Sequence, residues 1–192
     1  MKKVIICISF IFLYFLPTES KSDIKPIIEG SVDSNIKLIV YESLTCSHCA
    51  KFHEDIYPHL KEDFIDKGLA SIEFRNFPLN IAALNASLIA HCKNDGKSEI
   101  LHFLYNNQKL WAKGTIEEAN GHLKNMIEES NFNLNVNKCL NDKKIEDYIL
   151  EERIEADKKF KIEGTPTLII NGEKFKNPLD YKKLEKYLQK LI

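Results

Sequence analysis

The chain has 192 residues, 44% of them hydrophobic and 29% charged, with a formal net charge of −1. That composition fits a globular protein of one or two domains, long enough to bury a sizeable core. Charges this close to balance offer no electrostatic case for nucleic-acid binding, which would call for a basic face.

Lys2 and Lys3 open the chain, and Val4 to Leu16 is an apolar run too short to span a bilayer comfortably. Pro17-Thr18-Glu19-Ser20 follows, with Thr18 and Ser20 at the small-residue positions before a cut after Ser20. Residues 1–20 therefore read as a secretory signal peptide; a cut after Ser22 is the other position, and a retained membrane anchor is the competing reading. Cys7 lies inside the apolar run with no small-residue lipobox before it, so no lipid anchor is read. Removing residues 1–20 leaves 25 basic and 27 acidic residues, a net charge of −2, because Lys2, Lys3 and Glu19 go with them. Four cysteines remain: Cys46, Cys49, Cys92 and Cys139. An even count in an exported chain suggests two disulfides or disulfide-forming pairs. Of the three connectivities, the short first gap favours 46–49 with 92–139.

Asn35 to Ser43, NIKLIVYES, has a β-branched apolar centre and no helical period, which predicts a buried strand. Cys49, Phe52, Ile56, Leu60 and Phe64 then recur in steps of three and four, predicting an amphipathic helix that Pro58 kinks or breaks. Gly68 ends it, and Ala70 to Phe77 predicts the next strand, parallel to the first through a right-handed crossover. From about Asn80 to Phe160 the chain offers helical stretches and no convincing strand. β character returns with TPTLII, the turn NGE and KF, a strand-and-hairpin signal. The last segment predicts a helix with Leu179, Leu184, Tyr187, Leu188 and Leu191 on one side. The fold class is α/β. One domain spans residues 21–79 and 148–192, interrupted by an all-helical insertion over 80–147.

Cys46-Ser47-His48-Cys49 sits where the first strand gives way to the first helix. A structural zinc site needs four ligands, and no second pair with ligand spacing exists; His53, four residues beyond Cys49, leaves a loose Cys/His clip as a competing reading. A purely structural bridge gains little from closing so short a loop. A redox pair explains the placement. Cys46 would face unpaired backbone N–H groups and the positive end of a helix, both of which favour thiolate. The helix end contributes up to about 2 kcal/mol, little more than one pKa unit. Further lowering must come from specific donors: Cys49, the Thr45 hydroxyl, or a protonated His48. His48 as an exposed bystander is the alternative. Cys49, one turn into the helix, is the resolving thiol. Pro166 opens the late strand, where it owes no ladder hydrogen bond, and it is a candidate cis peptide.

C-x-x-C at a strand–helix turn with a late GTPT before a strand resembles the thioredoxin superfamily. The helical block narrows the resemblance to the DsbA-like branch of periplasmic thiol–disulfide oxidoreductases. TCSHCAKFH resembles that family's active site, RNFPLN and ALNASLIAHC the approach to its helical domain, FLYNNQKLW a later helix, and GTPTLIING its cis-proline loop. The resemblance implies Cys46 as nucleophile, Cys49 as resolving cysteine, Ser47 and His48 as the redox-tuning dipeptide, and Thr165 and Pro166 as the loop that meets substrate backbone. It also implies a Cys92–Cys139 structural disulfide, no cofactor, no metal, folding proteins as substrates, and a quinone-linked, DsbB-like membrane partner that reoxidises a monomeric enzyme. Many relatives carry a buried acid six residues before the first cysteine. Here that position is Val40, and Glu42 stands two residues later on the same strand face. Glu42 is either the substitute proton acceptor or a solvated strand-end carboxylate.

Overall fold

The structure, a computed structural model, describes residues 23–192, so the reading of residues 1–20 as a signal peptide, and both cut positions, lie outside the described residues. Five strands form one sheet: β1 (Ile27–Gly30), β2 (Ile36–Glu42), β3 (Ala70–Asn76), β4 (Thr167–Ile170) and β5 (Glu173–Phe175). Their order is β1-β3-β2-β4-β5. β2 is central and runs parallel to β3, with Ile36 opposite Ala70 and Glu42 opposite Asn76, and antiparallel to β4. Its Leu38, Val40 and Tyr41 are buried on opposite faces, as a strand covered on both sides requires.

β1 was not anticipated. It is four residues long, pairs antiparallel with β3 at the sheet edge, and has only Ile27 and Ile28 as a β signal. Gly30 ends it at φ +85°, where an added Cβ would lie 2.5 Å from the Ala70 carbonyl oxygen. Any side chain there would therefore be both strained and obstructed.

After β2 the chain turns into α1 (Ser47–Lys51), a π turn (Phe52–Ile56), α2 (Tyr57–Leu60) and a second π turn (Lys61–Ile65). Pro58 lies in the first turn of α2, where its missing N–H is tolerated, so the helical path is segmented rather than ended. Cys49, Phe52, Ile56, Leu60 and Phe64 are buried against Leu38, Val40 and Ile72 of the sheet. Each large apolar side chain so buried contributes roughly 1.5–3 kcal/mol.

Between β3 and β4 lie α3 (Ile81–His91), α4 (Glu99–Asn106), α5 (Gln108–Trp111), α6 (Ile116–Glu128), α7 (Val136–Leu140) and α8 (Lys143–Phe160). Asn80 caps α3 by accepting from the Ala83 N–H, and a Thr115/Glu118 capping box opens α6. A disulfide joins Cys92, at the end of α3, to Cys139 in α7. α8 runs unbroken through residues 147 and 148 and packs on both α3 and β3, so sheet and insertion share it. α9 (Tyr181–Leu188) closes the fold with Leu184 and Leu188 buried. A β-α-β half and a β-β-α half on one sheet, with helices between them, make a thioredoxin fold with an all-helical insertion.

Candidate active site

β2 ends at Glu42, and four residues later Cys46 stands as the N-cap of α1, in extended backbone (φ −82°, ψ 120°). Its carbonyl accepts from the Cys49 and Ala50 N–H groups at 3.1 Å, which starts the helix. The Gln108 side-chain amide donates to the Leu44 and Cys46 carbonyls at 2.9 and 3.0 Å, pinning the turn from the helical insertion. Gln108 lies in the stretch FLYNNQKLW, but nothing in its spacing marks a buried amide among exposed neighbours.

Both active-site thiols are free, Cys46 half-buried and Cys49 buried. The Cys46 thiol is pushed down to about 5. The hydrogen bond from the Cys49 thiol is the largest cause. Burial opposes it, and Thr165 and the Cys49 and His48 backbone N–H groups add to it. Cys49 moves the other way: burial raises it first, then its bond to Cys46, then the charge of Glu42. One thiol is thus a thiolate at neutral pH and its neighbour is not.

The Thr165–Pro166 peptide is cis, and it sets the Thr165 carbonyl 3.3 Å from Cys46 Sγ. Replacing Thr165 by Val keeps that carbonyl and removes the hydroxyl. The ultraviolet thiolate titration of Cys46 is then expected to move up from about 5. An unmoved midpoint would show that the hydroxyl does not tune the sulfur.

Ser47 and His48 are exposed, and His48 reaches Cys46 through its backbone N–H. The Thr45 hydroxyl accepts from Asn80 Nδ2 at 3.1 Å, which ties the end of β2 to the cap of α3 rather than to Cys46. Glu42 is 4% exposed, with Oε2 2.7 Å from His53 Nε2, so it is no solvated carboxylate. His53, considered from sequence only as a metal ligand, lies 5% exposed as its partner. Among the described residues no group of three or more His, Cys, Asp or Glu side chains is arranged to hold a metal ion.

The thioredoxin family profile matches residues 22–190. A Rickettsia bellii protein named "Putative protein-disulfide oxidoreductase" is 31% identical over 163 residues, 82% of this chain and 61% of that protein. The chain thus spans about three fifths of the length of the Rickettsia relatives it matches. Disulfide bond formation protein D of Bacillus subtilis is 24% identical over 179 residues, 84% of this chain and 74% of the relative. Among solved structures, alpha-DsbA1 of Wolbachia pipientis superposes with a TM-score of 0.77 at 29% identity, covering 92% of each chain. BdbD of Bacillus subtilis, at 21% identity, shares the fold with a TM-score of 0.72 over 86% of this chain and 92% of its own. A thiolate-poised C-x-x-C on this fold, a family match over nearly all the described residues and close superposition on a DsbA together make the chain a DsbA-like member of the thioredoxin family.

Proposed function

We propose that this chain is an exported thiol–disulfide oxidoreductase that donates a Cys46–Cys49 disulfide to folding proteins. The observation that carries the reading is the opposed pair of thiols, Cys46 held down to about 5 beside a Cys49 thiol raised by burial. A substrate thiolate attacks Cys46 of the oxidised enzyme, and Cys49 departs and takes a proton. A second substrate thiolate attacks the substrate sulfur of that mixed disulfide and forms the substrate disulfide, and Cys46 leaves as thiolate. Stabilising that thiolate stabilises the reduced enzyme, which makes the disulfide a stronger oxidant.

Protein substrates suit the surroundings. Leu79, Ile81 and Leu110 are exposed apolar residues, and their neighbours Asn80 and Gln108 bond Thr45 and the Cys46 carbonyl. The Thr165 carbonyl beside Cys46 offers backbone pairing to an extended chain. In this reading residues 21–79 and 148–192 carry the exchange chemistry, the insertion over 80–147 roofs it, and Ser47 and His48 tune it. The enzyme works as a monomer without cofactor and is reoxidised by a quinone-linked, DsbB-like membrane partner. The named relatives in Rickettsia and Bacillus support disulfide chemistry, and residues 1–20 support export.

The deciding experiment is the redox equilibrium of the mature chain against glutathione, with Cys92 and Cys139 replaced by Ala. It is paired with refolding of a reduced and of a scrambled substrate. A potential well above thioredoxin's, about −270 mV, with oxidation of the reduced substrate, is expected. A potential near or below thioredoxin's would make the chain a reductase, and rescue of the scrambled substrate alone would make it an isomerase.

A further inference from the structure

Glu42 is the inner end of a line of side chains that reaches the surface. Its Oε2 lies 2.7 Å from His53 Nε2, His53 Nδ1 lies 3.2 Å from His102 Nδ1, and His102 Nε2 lies 2.7 Å from Glu29 Oε1. Four elements supply it: β2, the first π turn, α4 and β1. Exposure rises outward, from 4% and 2% at the Glu42 and His53 side chains to 22% and 16% at His102 and Glu29. Aromatic rings wall the line. Tyr105 stacks on His53 at 4.0 Å and Tyr57 on His102 at 4.6 Å, and Phe74 meets both imidazoles. At the inner end the titratable groups in electrostatic reach are Cys49, Cys46 and Tyr105. At the outer end Tyr57 donates to Glu29, which Ser98 also holds.

The hydrogen bonds fix how many protons the line carries. Two facing ring nitrogens hold one proton between them, since one must donate and the other accept. With both carboxylates ionised, each outer Nε2 must donate as well. Burial works against charge on Glu29. Hydrogen bonds from His102, Ser98 and Tyr57, with the charge of His102, outweigh it and hold Glu29 down to about 2. The two rings therefore hold three protons, one more than two neutral imidazoles, and the four groups together carry a charge of −1. One acceptor is left over: Glu42 Oε1 is buried with no hydrogen-bond partner.

We propose that Glu42, His53, His102 and Glu29 form a proton-exchange line that takes up the Cys49 proton inside the protein and releases one to water at His102. Glu42 is the acceptor of the thiol's proton, with the Tyr105 hydroxyl also beside Cys49; the other three act through Glu42 and are positioning residues. When Cys49 attacks a mixed disulfide on Cys46, its S–H bond breaks and its sulfur bonds to the Cys46 sulfur. The partner leaves as a thiolate carrying the electron pair. The proton passes to Glu42 Oε1 across one water, no hydrogen bond joining the thiol to that oxygen directly. His102 gives its Nε2 proton past Glu29 to water. Two carboxylates and one imidazolium become one carboxyl, one carboxylate and two neutral imidazoles, so the charge is −1 before and after. No charge is left uncompensated in the interior. When Cys49 departs as a thiolate during substrate oxidation, Glu42 returns the proton and His102 regains one from water.

The inference rests on the exchange chemistry proposed above and not on its direction. Its test mixes the reduced mature chain with oxidised glutathione, with acid quenching to separate Cys46 attack from Cys49 resolution. In His102→Gln and Glu29→Gln the attack is expected to stay within about twofold. The mixed disulfide is expected to live about tenfold longer at pH 7, the thiol-facing Glu42 being retained. In Glu29→Gln the deficit should shrink as pH falls; in His102→Gln it should persist. In the unaltered protein, resolution in H2O/D2O mixtures should give a curved dependence, two protons being in flight. Wild-type resolution in both variants, equal slowing of both steps, or a linear dependence overturns the line. Absence of any mixed disulfide on Cys46 overturns the exchange reading as well.

Discussion

Brief alkylation of the reduced protein at pH 7 should place a single label, on Cys46. Its thiol is held down to about 5, and Cys49 is both raised and fully buried. The thiolate absorbance should rise with a midpoint near 5, and Cys49→Ala should move that midpoint upward, since the Cys49 thiol is the largest cause of the lowering. The sign for stability follows. An unfolded cysteine ionises near its ordinary 9.0, so between 5 and 9 the folded reduced state binds fewer protons than the unfolded one. Stability from Cys46 is fully present above about 9 and is lost as pH falls through 5. Cys46 is only half-buried, and solvent screening reduces the gain at pH 7 to about 1–2 kcal/mol, or about 20–40 mV of oxidising power. Urea denaturation of reduced and oxidised protein at pH 7 and 4.5 measures it. The stability gap should shift against the reduced form in acid, and two labels or a midpoint near 9 would refute the assignment.

Glu152→Gln should expose an acid instability that the native protein conceals. Glu152 on α8 accepts from the Asn76 backbone and side chain at 2.8 and 2.6 Å, and the same Asn76 amide donates to His91 Nε2 at 2.9 Å. Burial pushes Glu152 up to about 7 from its ordinary 4.5. Burial pushes His91 down to about 4 from 6.5. The raised carboxyl contributes stability that is present below 4.5 and lost as pH rises through 7. The lowered imidazole contributes stability that is present above 6.5 and lost as pH falls through 4. Each shift is worth about 3 kcal/mol, and between 4.5 and 6.5 they run in opposite directions. The native protein should therefore hold a nearly flat stability over that window. Glu152→Gln should lose about 3 kcal/mol between pH 6.5 and 4, read as a falling urea midpoint. A flat profile in the variant would show that His91 does not titrate on unfolding.

The layout of the fold was readable because its signals are local. β-branched runs, a five-residue apolar stripe and the GTPTLIING turn each declare an element without reference to the rest. The cysteine pair was readable for the same reason, lying at a junction that sequence marks on both sides. β1 was not, because two isoleucines before a glycine become a strand only when β3 lies alongside. Glu42 stayed ambiguous because a carboxylate at a strand end is solvated unless something covers it, and what covers it is His53, eleven positions on in another element. His102, Glu29 and Gln108 belong to the site through contacts spanning tens of residues. No spacing rule reaches that far.

The two π turns after the cysteines account for the stripe of Phe52, Ile56, Leu60 and Phe64. At 3.6 residues per turn, a residue four positions on is rotated about 40° further round the axis. Over three such steps the stripe would drift about 120°, and Phe64 would point away from the sheet that Phe52 faces. Each π turn takes up one extra residue and winds the stripe back, and all four side chains stay buried in the cluster that holds the sheet. Chain length in this stretch is therefore quantised. Removing one residue from the first π turn would return it to an ordinary α turn and leave Tyr57 and Leu60 in phase with the sheet, whereas removing one from α2 would rotate everything beyond it by about 100° while leaving Cys46 and Cys49 where they are.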